Sequence, residues 1–256
     1  VGIIEIIIFG ILQGIAEFLP VSSSGHIVVA QNFFDHSVED LSLNIAVHAG
    51  TLLTILIYYR EKWWQLVRGV FTREPKALSE FKLIIIATLP TGLIGIAIKS
   101  LGMTVLSSLS LTGFCFLITG CVLYSQKWIS PKVAKTELNG ASMSPVQSFI
   151  MGLVQGIAVL PGLSRSGLTI VTGLWLGVDR EESARLSFFI SVPAILGAVF
   201  LELLDGPLNV NWPALFGAGL VAFLVGMIAI SVVVGLTKKD RLSQFSWYLW
   251  PPIVLI

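Results

Sequence analysis

The chain has 256 residues, 55% of them hydrophobic and 12% charged, with a net charge of +1 and a mean hydropathy of +0.88. Soluble domains carry about 25% charged residues, so this is an integral membrane protein, and its near-neutral balance gives no reason to expect a nucleic-acid partner. Cys115 and Cys121 are too few for a zinc cluster or a disulfide framework and read as small apolar packers.

The first predicted element, residues 1–34, is an apolar run interrupted in its middle by GILQGIAEFLPVSSSGH, Gly10 to His26. It lacks a basic N-terminal region, so no cleavable signal is expected. Three apolar runs follow, 42–59, 83–101 and 104–124, each near the roughly 20 residues a helix needs to cross a bilayer. After a polar linker, 126–143, a second interrupted run covers 144–177. Further candidate spans lie at 186–204, 213–236 and 244–256.

Loop charge decides whether the interrupted runs cross the membrane or turn back, because Lys and Arg accumulate on the cytoplasmic side. If both turn back, 14 of the 16 Lys and Arg residues share one side, Lys99 stands on the other, and Arg165 lies inside the second hairpin. If the second run were a single crossing, the split would be 9 against 6. The reading is therefore an all-α polytopic membrane protein with six transmembrane helices, two re-entrant helix-loop-helix hairpins and both termini outside.

The hairpins also repeat each other. Gly10–Gly25 and Gly152–Gly167 align 142 residues apart with 8 of 16 positions identical, among them Gln13/Gln155, Ser22/Ser164, Ser24/Ser166 and Gly25/Gly167. A fainter echo pairs KLIIIATLP (Lys82–Pro90) with RLSFFISVP (Arg185–Pro193). One hairpin and three crossings per half make an inverted-topology repeat, 1–125 and 144–256, in one membrane domain. Such repeats place a polar site where their interruptions meet.

The residues at the tips suit an oxyanion. Serines before a resumed helix cap it and leave backbone N–H groups for an anion. Capping also explains those serines without any reactivity. Arg165 is the one basic residue placed inside a membrane segment; its fork fits phosphate, and an ion pair with Glu17 is the bland alternative. Glu17, one turn after Gln13, suits a cation, a proton or a positioned water. His26, just past Gly25, is an acid–base candidate. Ser23 and Ser164 are the hydroxyl candidates. Thr169 either adds a hydroxyl or bonds back to its own helix. His48, on an apolar span, reads as a satisfied buried histidine.

These stretches resemble the undecaprenyl-diphosphate phosphatase, or bacitracin-resistance protein, family. Its (E/Q)xxxE signature reads here Gln13-Gly-Ile-Ala-Glu17, followed by Pro20-Val-Ser-Ser-Ser-Gly-His26. Its PGxSRSxxT signature reads Pro161-Gly-Leu-Ser-Arg-Ser-Gly-Leu-Thr169, and the likeness continues through Gly177–Ala198. The resemblance implies hydrolysis of a C55 polyprenyl diphosphate to the monophosphate, recycling the lipid carrier for cell-wall glycans, with stimulation by a divalent cation (Mg2+ or Ca2+) near Glu17. It implies catalytic roles for Glu17, His26, Ser23 and Arg165. Gln13, Ser22, Ser24, Gly25, Ser164, Ser166, Gly167 and Thr169 would line the substrate site. The expected partners are the lipid substrate and membrane lipid, in the plasma membrane, compatible with a homodimer.

Two alternatives stay open from the residues alone. The nucleophile is Ser23 or a water held by Glu17 and His26. The same inverted-repeat site would also serve a transporter or flippase for a lipid phosphate or anion. A phosphatidic-acid phosphatase mechanism is excluded, because position 171 is Val and no histidine follows His48.

Overall fold

A computed structural model describes residues 3–34, 41–100, 106, 108–129, 143–205 and 211–250, and every regular element among them is helical. The first interrupted run forms α1 (Ile3–Ala16) and α2 (Ser23–Phe34), and α3 (Leu41–Tyr58), α4 (Arg60–Phe71), α5 (Pro75–Lys99) and α6 (Leu109–Ser125) follow. The second interrupted run forms α7 (Pro145–Ile157) and α8 (Arg165–Trp175), followed by α9 (Arg180–Asp205), α10 (Trp212–Lys238) and the short α11 (Ser246–Leu249).

Among the described residues four helices are long and apolar enough to cross a membrane, and α3 with α4 makes a fifth candidate, bent by 78°. Leu89, Leu93 and Ile96 on α5 and Phe216 and Ile228 on α10 are exposed, as expected of helices solvated by lipid tails. The chain is a multi-pass membrane protein.

Local chemistry sets where the helices begin. Ser144 caps α7 in a reciprocal capping box with Gln147, and Pro145 takes the position where a missing N–H costs nothing. Ser164 caps α8 by accepting from Gly167 N at 3.2 Å. Gln147 Nε2 then donates to the Leu176 carbonyl at 3.0 Å, so the two ends of the second hairpin meet.

Glycines let the first arm of each hairpin press against a long helix. A Cβ on Gly10 would lie 2.9 Å from the Ala218 carbonyl oxygen, and one on Gly14 would lie 2.8 Å from that of Ala222. On the other side, a Cβ on Gly152 would collide with the Ala87 carbonyl, and one on Gly156 would stand 3.2 Å from that of Pro90. Gly10 and Gly14 seat α1 on α10; Gly152 and Gly156 seat α7 on α5. Small residues four apart allow such close approach, and packing rather than hydrophobicity drives helix association in lipid. Below the tips a core of Phe18, Ile55, Ile170, Phe188 and Ile230 is closed to solvent.

The structure adds to the expected order of elements. Residues 60–71, read from the sequence only as a charged loop, form α4, which buries Leu66 and Gly69 while leaving Trp64 and Phe71 exposed. The echo between Lys82–Pro90 and Arg185–Pro193 falls on α5 and α9, which do not hold matching places after their hairpins. His36, most of the 126–143 linker and residues 251–256 of the last expected span lie outside the described residues.

Candidate active site

The two hairpin turns interlock. Ser22, at φ 64°, accepts from its own Gly25 N at 3.3 Å and from Gly162 N of the other turn at 3.1 Å. Having accepted twice, its hydroxyl proton goes to Ser24 Oγ, 3.4 Å away. Ser166 Oγ reciprocates by donating to the Leu19 carbonyl at 3.4 Å, so its 3.3 Å bond with Ser164 runs from Ser164 to Ser166. Gly25 and Gly167 sit where the opposite turn arrives: a Cβ on Gly25 would lie 2.7 Å from Gly162 N, and one on Gly167 would lie 2.9 Å from Pro20 Cβ. Thr119 of α6 braces the second turn, donating to the Gly162 carbonyl at 2.9 Å and accepting from Ser164 N at 3.2 Å.

This interlock brings Glu17 and Arg165 together as an ion pair between Oε1 and Nη2. The other oxygen, Oε2, accepts from Gln13 Nε2 at 2.7 Å. The Glu17 side chain is 5% exposed and that of Arg165 25%, so the cation reaches the open side. Around the pair lies a cavity of about 220 Å³ including its open mouth, with Ser166, Ser187 and Ser191 on its walls above Phe18 and Phe188. Thr169 donates to the Arg165 carbonyl at 2.7 Å and therefore accepts from Ser187 Oγ at 2.5 Å.

His26 has other neighbours. Its Nδ1–H donates to the Ser22 carbonyl at 2.7 Å, which leaves Nε2 to accept from the Tyr248 hydroxyl at 2.9 Å. The two rings stack at 5.7 Å, and Phe116 meets the imidazole edge-on at 5.2 Å. No hydrogen bond or ion pair among the described residues joins His26 to Glu17 or Arg165. Ser23 opens α2 half-buried, and its hydroxyl has no partner among the described residues. Every other hydroxyl singled out at the turns has at least one hydrogen-bond partner.

Sequence reasoning missed three contributions. His48 stands within 3.3 Å of Gln13 Nε2 and 3.9 Å of Glu17 Oε2, although a lone histidine on an apolar span gave no local sign of it. Tyr248 comes from the far end of the chain. Ser187 and Ser191 stand four apart in RLSFFISVP, a spacing that puts both on one face of α9, and this signal was available.

This donor set offers a divalent cation one carboxylate, Glu17, and leaves its remaining oxygen ligands to substrate phosphates and water. Glu17 is the single carboxylate on the cavity and both its oxygens are engaged. Among the described residues no three His, Cys, Asp or Glu side chains gather as a metal site, whereas Mg2+ and Ca2+ require several oxygen ligands.

Comparison with known proteins matches the chain to one family. A family model described as bacitracin resistance protein BacA matches residues 6–252. An undecaprenyl-diphosphatase of Halothermothrix orenii is 36% identical over 254 residues, covering 97% of this chain and 94% of that protein. One of Desulforapulum autotrophicum is 37% identical over 268 residues, covering 95% and 93%. One of Rhodopirellula baltica is 34% identical over 261 residues, covering 99% and 96%. With the model matched over nearly its whole length, the chain belongs to the bacitracin resistance protein BacA family.

Proposed function

We propose that this chain is an undecaprenyl-diphosphatase of the plasma membrane. It hydrolyses undecaprenyl diphosphate to the monophosphate and phosphate, returns the lipid carrier to cell-wall glycan synthesis, and so confers resistance to bacitracin. The observation that carries the reading is the Glu17–Arg165 pair held where the two hairpin turns interlock, inside a protein whose relatives bear that name.

A diphosphate offers the guanidinium a better partner than one carboxylate oxygen, through two parallel hydrogen bonds. Arg165 then turns from Glu17 to the phosphates, and Glu17 is left as a free carboxylate beside them. Ser23 carries the turn hydroxyl that has no partner among the described residues, and we assign it the attack on the terminal phosphorus. Its proton passes to Glu17, the bond to the bridging oxygen breaks, and undecaprenyl monophosphate departs. Water then hydrolyses the phosphoserine, releasing phosphate and restoring Ser23. For His26 to serve as the acid–base group its motif implies, Tyr248 has to give up Nε2; as placed, His26 braces the first turn. The divalent cation implied by the resemblance has no protein cage to enter, and none of these steps runs through it.

The same reading takes the hairpins as re-entrant and the halves as an inverted repeat with six crossings, the last at 244–256, and both termini outside. It is supported by the meeting of Gln147 with Leu176 and by glycine pairs 142 residues apart that seat both first arms in the same way.

Phosphate release from undecaprenyl diphosphate by the protein in detergent, where no gradient exists to drive transport, separates hydrolysis from translocation. Arg165→Ala should reduce release by at least about a hundredfold, as losses of groups stabilising transition-state charge do. Ser23→Ala should do the same, and labelled substrate should leave acid-stable phosphoserine on the parent protein alone. Undiminished release by Arg165→Ala would sink the site. Undiminished release by Ser23→Ala would hand the attack to water.

A further inference from the structure

We propose that His48 is a positioning residue for Glu17, acting through the Gln13 amide; the role rests on the phosphatase reading above. Gln13 Nε2 lies 2.7 Å from Glu17 Oε2. A carboxylate oxygen only accepts, so the amide must present its nitrogen there. The second proton of that nitrogen faces His48 Nδ1 at 3.3 Å. His48 Nδ1 is therefore the acceptor, and the ring proton sits on Nε2. The same Nδ1 is 3.9 Å from Glu17 Oε2, beyond hydrogen-bonding distance, so His48 governs the carboxylate by fixing the amide rather than by touching it.

The three side chains are held in register by one post. α1 is seated on α10 at Gly10 and Gly14, and α3 on the same helix at Gly50, where a Cβ would collide with the Gly219 carbonyl. Thr54, one turn beyond Gly50, donates to the Phe223 carbonyl of α10 at 3.2 Å. The distance from Gln13 to His48 is thus set by backbone packing.

The link matters most once substrate is bound. When the diphosphate draws Arg165 away, Glu17 Oε1 loses its partner and Gln13 becomes the remaining hold on the carboxylate. An amide with no acceptor for its second proton is free to swing about its side-chain torsions, and the carboxylate that it holds swings with it. The loss of His48 therefore falls on turnover and not on substrate affinity.

Steady-state phosphate release from undecaprenyl diphosphate tests this. His48→Leu should lower kcat about tenfold, in line with loss of one hydrogen bond supporting a charged group, and leave KM within about twofold. His48→Asn places Oδ1 where Nδ1 stood and should recover most of kcat. In a Gln13→Leu background, His48→Leu should cost nothing more. Equal damage by Asn and Leu, or additive losses in the double variant, overturns the proposal. The 15N spectrum of histidine-labelled protein gives a readout independent of turnover: His48, identified by its loss in His48→Asn, should show the Nε2–H tautomer and shift in Gln13→Leu. An Nδ1–H tautomer overturns the proposal even in protein that releases no phosphate, a result that would fail the phosphatase reading instead.

Discussion

Ser22 combines a left-handed backbone, φ 64°, with a hydroxyl that satisfies two buried N–H groups, one from each hairpin turn. Both bonds are buried, so no water replaces a lost partner. Ser22→Ala leaves both donors unpaired, at about 1–3 kcal/mol for each buried group, and should lower the Tm in detergent well below that of Ser24→Ala, which removes only the 3.4 Å acceptor of Ser22. Equal Tm values for the two variants would mean that the turns are held by packing alone. The caps at Ser22 and Ser164 and the Glu17–Arg165 pair were legible in the sequence, because each belongs to a short stretch whose polar residues have no other reason to interrupt an apolar run. His48 and Tyr248 were not. Their partners lie 35 and 222 residues away, and a single polar side chain on an apolar helix has no local pattern that names such a partner.

At the scale of the helix, glycine does two jobs that the sequence does not separate. Gly50 is required by contact, since its missing side chain is the space that the Gly219 carbonyl fills, whereas a Cβ on Gly92 of α5 would meet nothing within 4 Å. Gly50→Ala should separate α3 from α10, cost about 1–3 kcal/mol as overpacking does, and reduce kcat by parting His48 from Gln13. Gly92→Ala should be tolerated, with its stability unchanged or raised by up to about 1 kcal/mol from better helix propensity. Thermal melts of the two variants, run beside the parent, decide it: a destabilised Gly92→Ala would show a contact absent from the structure. The Gly10/Gly14 and Gly152/Gly156 pairs stood in the repeated stretches from the outset, but identity alone did not say which helix each would press against. α4 was hidden for a different reason. Its Arg and Lys residues read as loop charge, while its buried Leu66 and Gly69 form a stripe that only the hairpin with α5 explains: a Cβ on Gly69 would run into Ala77.

For the molecule as a whole, the ends of the helices argue for which loops share a face. Gln126, just past α6, donates to Asp240 at 2.8 Å; Arg180, at the start of α9, pairs with the same carboxylate at 2.9 Å; and Lys238, at the end of α10, pairs with Glu181 at 2.8 Å. Asn44 near the start of α3 and Glu202 near the end of α9 join at 2.8 Å, and these mark the opposite end of the bundle. A single crossing through 144–177 would put residues 126 and 180 on opposite faces, so their shared contact with Asp240 supports the proposed turning back of that run. Lys127, Arg180, Lys238 and Arg241 stand at the helix ends joined through Asp240 and Glu181, and the positive-inside rule predicts that this end is cytoplasmic. In a background with Cys115→Ala and Cys121→Ala, single cysteines at Lys62, Lys127 and Lys238 should react with an impermeant maleimide only after the cells are opened. A cysteine at Trp212, exposed at the other end of α10, should react in intact cells. Labelling of the Lys127 and Lys238 positions from opposite faces would break the parity on which the re-entrant hairpins rest, and with it the meeting of a carboxylate from one face with an arginine from the other.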